Sequence, residues 1–341
     1  MKKKTNIKYL SNNKKINKGL AILRFFLSFL VVAAHSFIPS NNNKYIGLLI
    51  NNIHVPIFFI MSFYFFYTTL ISRNLEKLTN RFQRLLIPYI IWPIIIFIIS
   101  KSLNYIFKIK LFISFKALKN QLLTGTSFNH VLWFQFNLIF ETFIFIFIEF
   151  LFKKYKAFIL INIELCCYIF QYSNLNQQIF GQMVFEMKYP FGRIVETLPY
   201  SISGFMIAHF SFISYLKKNK IQSIYILIFI LFLVIKYDIF INLIDFCYSG
   251  IKSHIICLCI FIIFNFIPID NINYNLINHI SKFTSGIYYL HLPVMSYLER
   301  YIVLIRKRTI YGSIIIYLIC YLICLIGNLF LGRTKLMHLF K

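Results

Sequence analysis

The sequence predicts an all-α, polytopic integral membrane bundle of about ten transmembrane helices, with both termini on the cytoplasmic side. Three observations lead there. Hydrophobic residues make up 59% of the 341 and charged residues 13%, where a soluble domain carries about 25% charged residues; mean hydropathy is +0.71. Apolar runs recur, each near the roughly 20 residues a helix needs to cross a bilayer core. The 36 Lys+Arg against 10 Asp+Glu gather in short clusters between those runs, a placement suited to headgroup anchoring and topology control. Disorder, a disulfide scaffold and a cytosolic enzyme are excluded, and the clustering speaks for membrane lipids and against nucleic acid as partner.

Residues 1–18 read as a basic cytoplasmic segment without a small-residue cleavage site, so the first apolar run is expected to stay. Residues 19–332 form the transmembrane domain and 333–341 a short cytoplasmic tail. The spans fall near 20–38, 46–71, 85–107, 130–152, 157–172, 194–214, 221–240, 251–268, 283–304 and 310–331; Asn162 and Glu164 interrupt the fifth. The longest connections, 108–129 and 173–193, are too short for a soluble domain. With the N-terminus inside, more Lys and Arg fall on the cytoplasmic side than outside, although Arg306, Lys307 and Arg308 fall outside. The seven cysteines are odd in number, lie mostly in apolar runs and lack CxxC spacing; they read as small apolar residues, and no metal site is expected.

The first span carries Arg24 and, eleven residues later, His35. At about 100° and 1.5 Å per residue the two return to nearly one helix face, roughly 16 Å apart. Ionisable groups in hydrocarbon generally face a bundle interior or a watery cavity; the bland alternatives are a snorkelling arginine and a packing histidine. After the second span, Arg73, Lys77, Arg81 and Arg84 are spaced by four, four and three, which makes one basic face if the segment is helical. Arginine forks match phosphate oxygens, while the same face also serves as a positive-inside anchor.

Arg24 with His35, followed by Arg81-x-x-Arg84, resembles the acyltransferase-3 family of membrane O-acyltransferases. Val55-Pro56-Ile57-Phe58-Phe59-Ile60-Met61-Ser62 is similar to its second-helix stretch, His130-Val131-Leu132-Trp133-Phe134 to its Leu-Trp-Phe/Tyr segment, and Ser285-Gly286-Ile287-Tyr288-Tyr289-Leu290-His291-Leu292-Pro293 to its late Tyr-Leu-x-His-x-Pro. The motifs keep the family order from about 18 to 332. One departure is Phe63, which follows Ser62 where the family commonly has glycine.

The resemblance implies a ten-helix enzyme of a bacterial cytoplasmic membrane. It would transfer an acyl group, commonly acetyl, from acetyl-CoA or another acyl-CoA to a hydroxyl of a surface polysaccharide or lipid-linked glycan. His35 is then the catalytic base or an acyl relay, with Arg24 as a further catalytic residue on the same helix stripe; Arg24, Arg81 and Arg84 hold the donor. Neutral imidazole suits the deprotonation of a sugar hydroxyl. Trp133, Glu141, Glu196 and His291 are expected substrate-side residues. Each also has a plainer reading: an interfacial Trp, interhelical hydrogen bonds or a Glu–Arg pair, and a solvated histidine. Two rival readings are a transporter or flippase for a glycan or small solute, since buried charges also line transport pathways, and another class of membrane O-acyltransferase whose key histidine lies in a late helix.

Overall fold

The computed structural model describes residues 18–38, 44–107, 113–125, 127–129, 131–172, 190–241, 250–266, 274–331 and 339, and among them every regular element is helical. In chain order these are α1 (Lys18–Ser36), α2 (Lys44–Ile71), α3 (Leu75–Phe107), α4 (Phe115–Thr124), α5 (Leu132–Leu151), α6 (Lys156–Tyr172) and α7 (Pro190–His209). There follow α8 (Phe212–Leu216), α9 (Lys220–Ile241), α10 (Ile251–Phe266), α11 (Tyr274–Ser281), α12 (Thr284–Leu298), α13 (Val303–Arg306) and α14 (Ile310–Leu331). Among the described residues, five helical stretches are long and apolar enough to cross a membrane: Lys18–Ser36, Ile53–Ile71, Leu75–Ser102, Leu132–Leu151 and Ile310–Phe330. Helices also occupy the other segments read as spans.

The outward faces account for the composition. Tyr225, Ile226, Phe229 and Phe232 of α9 and Leu318, Leu322, Ile326 and Leu329 of α14 are all exposed. A soluble protein rarely shows so continuous an apolar surface; here it faces lipid. Polar side chains turn inward instead. α1 packs against α2, α10, α11, α12 and α14, and two hydroxyl pairs pin it to α14: Ser28 Oγ with Tyr317 Oη at 2.9 Å, and Ser36 Oγ donating to Ser313 Oγ at 2.7 Å. Such bonds supply part of the helix association that lipid-solvated apolar contacts cannot. Of the six described cysteines, five are buried as expected and Cys166 is exposed.

Three of the departures from the hydropathy pattern have a local reason. The third span begins ten residues early, because the Asn74 side chain accepts the Lys77 N–H at 3.0 Å and starts α3 inside the basic stretch. The connection 108–129 holds α4, with Ser114 accepting the Ala117 N–H at 3.1 Å and Gly125 closing the helix at φ 69°. The ninth span stops at Leu298, where the Arg306 guanidinium donates to the carbonyls of Glu299 (3.2 Å) and Arg300 (2.8 Å). Those oxygens are satisfied by a cation at the helix end instead of by another helical turn.

α2 and α7 meet at Gly204, where an added Cβ would lie 2.2 Å from the Ile60 carbonyl oxygen. The obstacle is backbone, so it cannot rotate away. Gly204→Ala is expected to force the helices apart and to cost about 3 kcal/mol, the upper end of ordinary overpacking. Thermal unfolding of the purified variant measures it, and a melting temperature equal to wild type would refute the close crossing.

Candidate active site

The capped start of α3 places Lys77, Arg81 and Arg84 along one wall of a cavity of about 480 Å³. Arg73 does not join them: it lies before the helix at φ 50° and is exposed, so the four-residue basic face expected from spacing begins one turn later. Arg24 of α1 lines the same cavity, as do Ser62 and Phe66 of α2, Gln135 of α5, and Thr284, Ser285, Tyr288 and Tyr289 of α12. Among the described residues that line it, none is a carboxylate. Four cations facing one chamber within the size range of small-molecule sites have the charge and hydrogen-bond donors that suit phosphate oxygens.

The two arginines of the Arg81-x-x-Arg84 pair differ in setting. Arg84 is exposed, whereas Arg81 is partly buried and held. Its guanidinium donates to the Ser62 carbonyl (3.4 Å), to Ser62 Oγ (3.2 Å) and to Thr142 Oγ1 (3.2 Å). It also lies 4.2 Å from the Phe66 ring centroid and 5.3 Å from that of Phe63, a favourable cation–π arrangement. Phe63, the departure from the family pattern, is fully buried and packs its ring 4.6 Å from Phe145 beneath this arginine.

Glu141 stands behind Arg81, with no exposed surface, and interacts electrostatically with it. Its carboxylate accepts the Thr197 hydroxyl at 2.6 Å and the Ser201 hydroxyl, both from α7; Asn137 in turn donates to Thr197 Oγ1 at 3.1 Å. Glu141 therefore ties α5 to α7 outside the cavity lining. Replacing it with Leu strands the Ser201 hydroxyl, leaves Thr197 only its backbone acceptors, the nearer at Arg193 (2.9 Å), and removes the arginine's counter-charge, an expected loss of about 3 kcal/mol of the kind seen when one partner of a buried pair is removed. Glu141→Gln keeps an acceptor and should lose less. Comparing the unfolding midpoints of the two variants checks this, and equal losses would contradict it.

His35 lies at the other end of α1 from Arg24 and is exposed. Its ring centroid is 5.1 Å from that of His291 on α12. The His291 ring is in turn 6.0 Å from that of Tyr288, which lines the cavity. Cavity, Tyr288, His291 and His35 form a continuous sequence of groups. His54 of α2, unassigned from sequence, is buried and interacts electrostatically with His291.

Trp133 and Glu196, also expected on the substrate side, are not among the residues that line the cavity. Trp133 is 9% exposed, and the Arg193 guanidinium covers its ring at 5.1 Å. Glu196 accepts from that same arginine at 3.0 Å. A sugar stacking on that face of Trp133 would first have to displace Arg193. His130 lies outside the described residues. A second buried cluster on the far side of α7 joins Tyr168 and His254, with His254 Nε2 2.8 Å from Ser203 Oγ and Ser203 donating to Glu164 at 3.3 Å. Spacing gave no signal for it, since its members come from three helices.

Fold and cavity define a multi-pass membrane protein built around a chamber lined by four cations. A model of the acyltransferase-3 family, described as an acyltransferase domain, matches residues 17–333. The chain belongs to that family, and is a membrane acyltransferase. No curated protein and no solved structure matches it.

Proposed function

We propose that the protein transfers an acetyl group from acetyl-CoA to a hydroxyl of a cell-surface polysaccharide or lipid-linked glycan, with His35 as the general base. One observation carries this reading: Arg24 shares a cavity with Lys77, Arg81 and Arg84, and the same helix runs on from Arg24 to His35. The cations hold the phosphates of the coenzyme. Its flexible pantetheine arm follows α1 over the roughly 16 Å that eleven helical residues span and delivers the thioester near His35.

There the acceptor oxygen attacks the thioester carbonyl while His35 takes its proton. The C–S bond breaks, and the departing thiolate receives that proton from His35. The products are the ester and free coenzyme A thiol, and the histidine returns to its starting state. In a relayed variant His35 carries the acetyl group covalently between donor and acceptor. In this reading the bundle has ten spans with cytoplasmic termini in a bacterial cytoplasmic membrane, the cavity opens to the side where acetyl-CoA is made, and His35 lies toward the outer leaflet.

The test is direct. Purified protein in lipid nanodiscs is given acetyl-CoA and fractionated surface glycans, thiol release is followed, and the glycans are weighed by mass spectrometry. Thiol release with one added acetyl group per modified sugar is the expected result. Glycans of unchanged mass and no thiol release with any acyl-CoA would overturn the proposal.

A further inference from the structure

His291 Nδ1 lies 2.7 Å from the Tyr288 carbonyl oxygen. A carbonyl only accepts, so Nδ1 carries the ring proton and Nε2 presents a lone pair. That Nε2 has no hydrogen-bond partner among the described residues, although His291 is only 1% exposed. An unmet buried acceptor costs about 1–3 kcal/mol, so a donor brought to this atom would recover that cost. The neighbouring imidazole is His35, its ring centroid 5.1 Å away and tilted by 36°.

We infer that His291 is the positioning residue for His35: its Nε2 accepts an N–H from His35 when His35 takes up the acceptor's proton. The inference rests on the acyl-transfer reading above. It completes a chain anchored on backbone. The Tyr288 carbonyl accepts from His291 Nδ1–H, His291 Nε2 accepts from one His35 nitrogen, and the other His35 nitrogen faces the hydroxyl. The proton stays on His35 until the thiolate collects it, and His291 keeps its own. This is the orienting role that a carboxylate plays beside a catalytic histidine. An imidazole performs it without placing an uncompensated anion in an apolar bundle. Tyr288 links the two ends of the site, because it lines the donor cavity while its carbonyl sets the His291 tautomer.

Two substitutions separate this role from simple packing. His291→Leu removes the lone pair. His291→Gln keeps an acceptor oxygen for His35 and an amide donor for Tyr288. With acetyl-CoA and an acceptor that the wild type acylates, His291→Leu is expected to lower kcat about 10²-fold, with KM for acetyl-CoA within about twofold and no drop in melting temperature. His291→Gln should recover roughly a tenth of the wild-type rate or more. Wild-type kcat in His291→Leu would overturn the inference, as would a loss of stability that Gln restores no better than Leu. ¹⁵N NMR of labelled histidine gives a readout independent of turnover: the His35 tautomer ratio should change in His291→Leu. If the wild type acylates nothing, the acyl-transfer reading falls. An unchanged His35 spectrum would then remove the dyad as well, and a changed one would retain it as a structural pair.

Discussion

Replacing His35 with Ala is expected to lower kcat by about 10²–10⁴-fold, the usual contribution of a positioned general base, in a protein that still folds and still binds its donor. The geometry separates those three properties. His35 is exposed near the end of α1, so truncation opens no cavity in the core and alanine favours the helix. The cavity lies toward the opposite end of α1, where Arg24 lines it, and Arg24, Lys77, Arg81 and Arg84 remain in place. Steady-state thiol release should show the rate loss in kcat with KM for acetyl-CoA nearly unchanged, and the melting temperature should match wild type. A variant with normal kcat would remove His35 from the chemistry. A variant with normal kcat and a raised KM would make it a binding residue, which no distance in the structure favours.

The stripe from Arg24 to His35 was legible because helical periodicity alone sets it, and α1 is a regular helix over both residues. The meeting of Arg24 with Arg81 and Arg84 depends on how α1, α2, α3 and α12 enclose one space, which no spacing within a helix encodes. Only the ordered family motifs suggested it. α4 escaped because it is short and nearly neutral in hydropathy; its signals are the Ser114 and Gly125 caps at its two ends. The partners of Glu141 left a faint mark, two hydroxyls four residues apart at Thr197 and Ser201, one turn apart on a helix that also carries Arg193, Glu196 and Ser203. Trp133 shows the converse. Its chemistry suits a sugar platform, but an arginine sixty residues further along the chain occupies its face, and only tertiary packing reveals that.

Arg81 and Arg84 should answer differently to the same substitution. Arg81→Lys is expected to lower kcat/KM for acetyl-CoA roughly 10²-fold, as expected for losing about one charge-assisted hydrogen bond near 3 kcal/mol. Lysine keeps the charge but lacks the planar fork that bridges Ser62 and Thr142 and stacks over Phe66. The ammonium would sit in the same apolar collar with too few donors to satisfy the groups around it. Arg84→Lys should stay within a few-fold of wild type, because an exposed cation acts mainly through its charge. Arg84→Ala should cost about tenfold at low ionic strength and less as salt is added, since exposed charges are screened over a Debye length of ~10 Å at 0.1 M. The partly buried Arg81 is shielded from that screening, so its deficit should persist in salt. Measuring KM and kcat for all three variants between low and high ionic strength decides the matter. Equal losses in the two lysine variants, or a deficit of Arg81→Lys that salt erases, would mean that the held arginine is no more than another surface cation at the cavity.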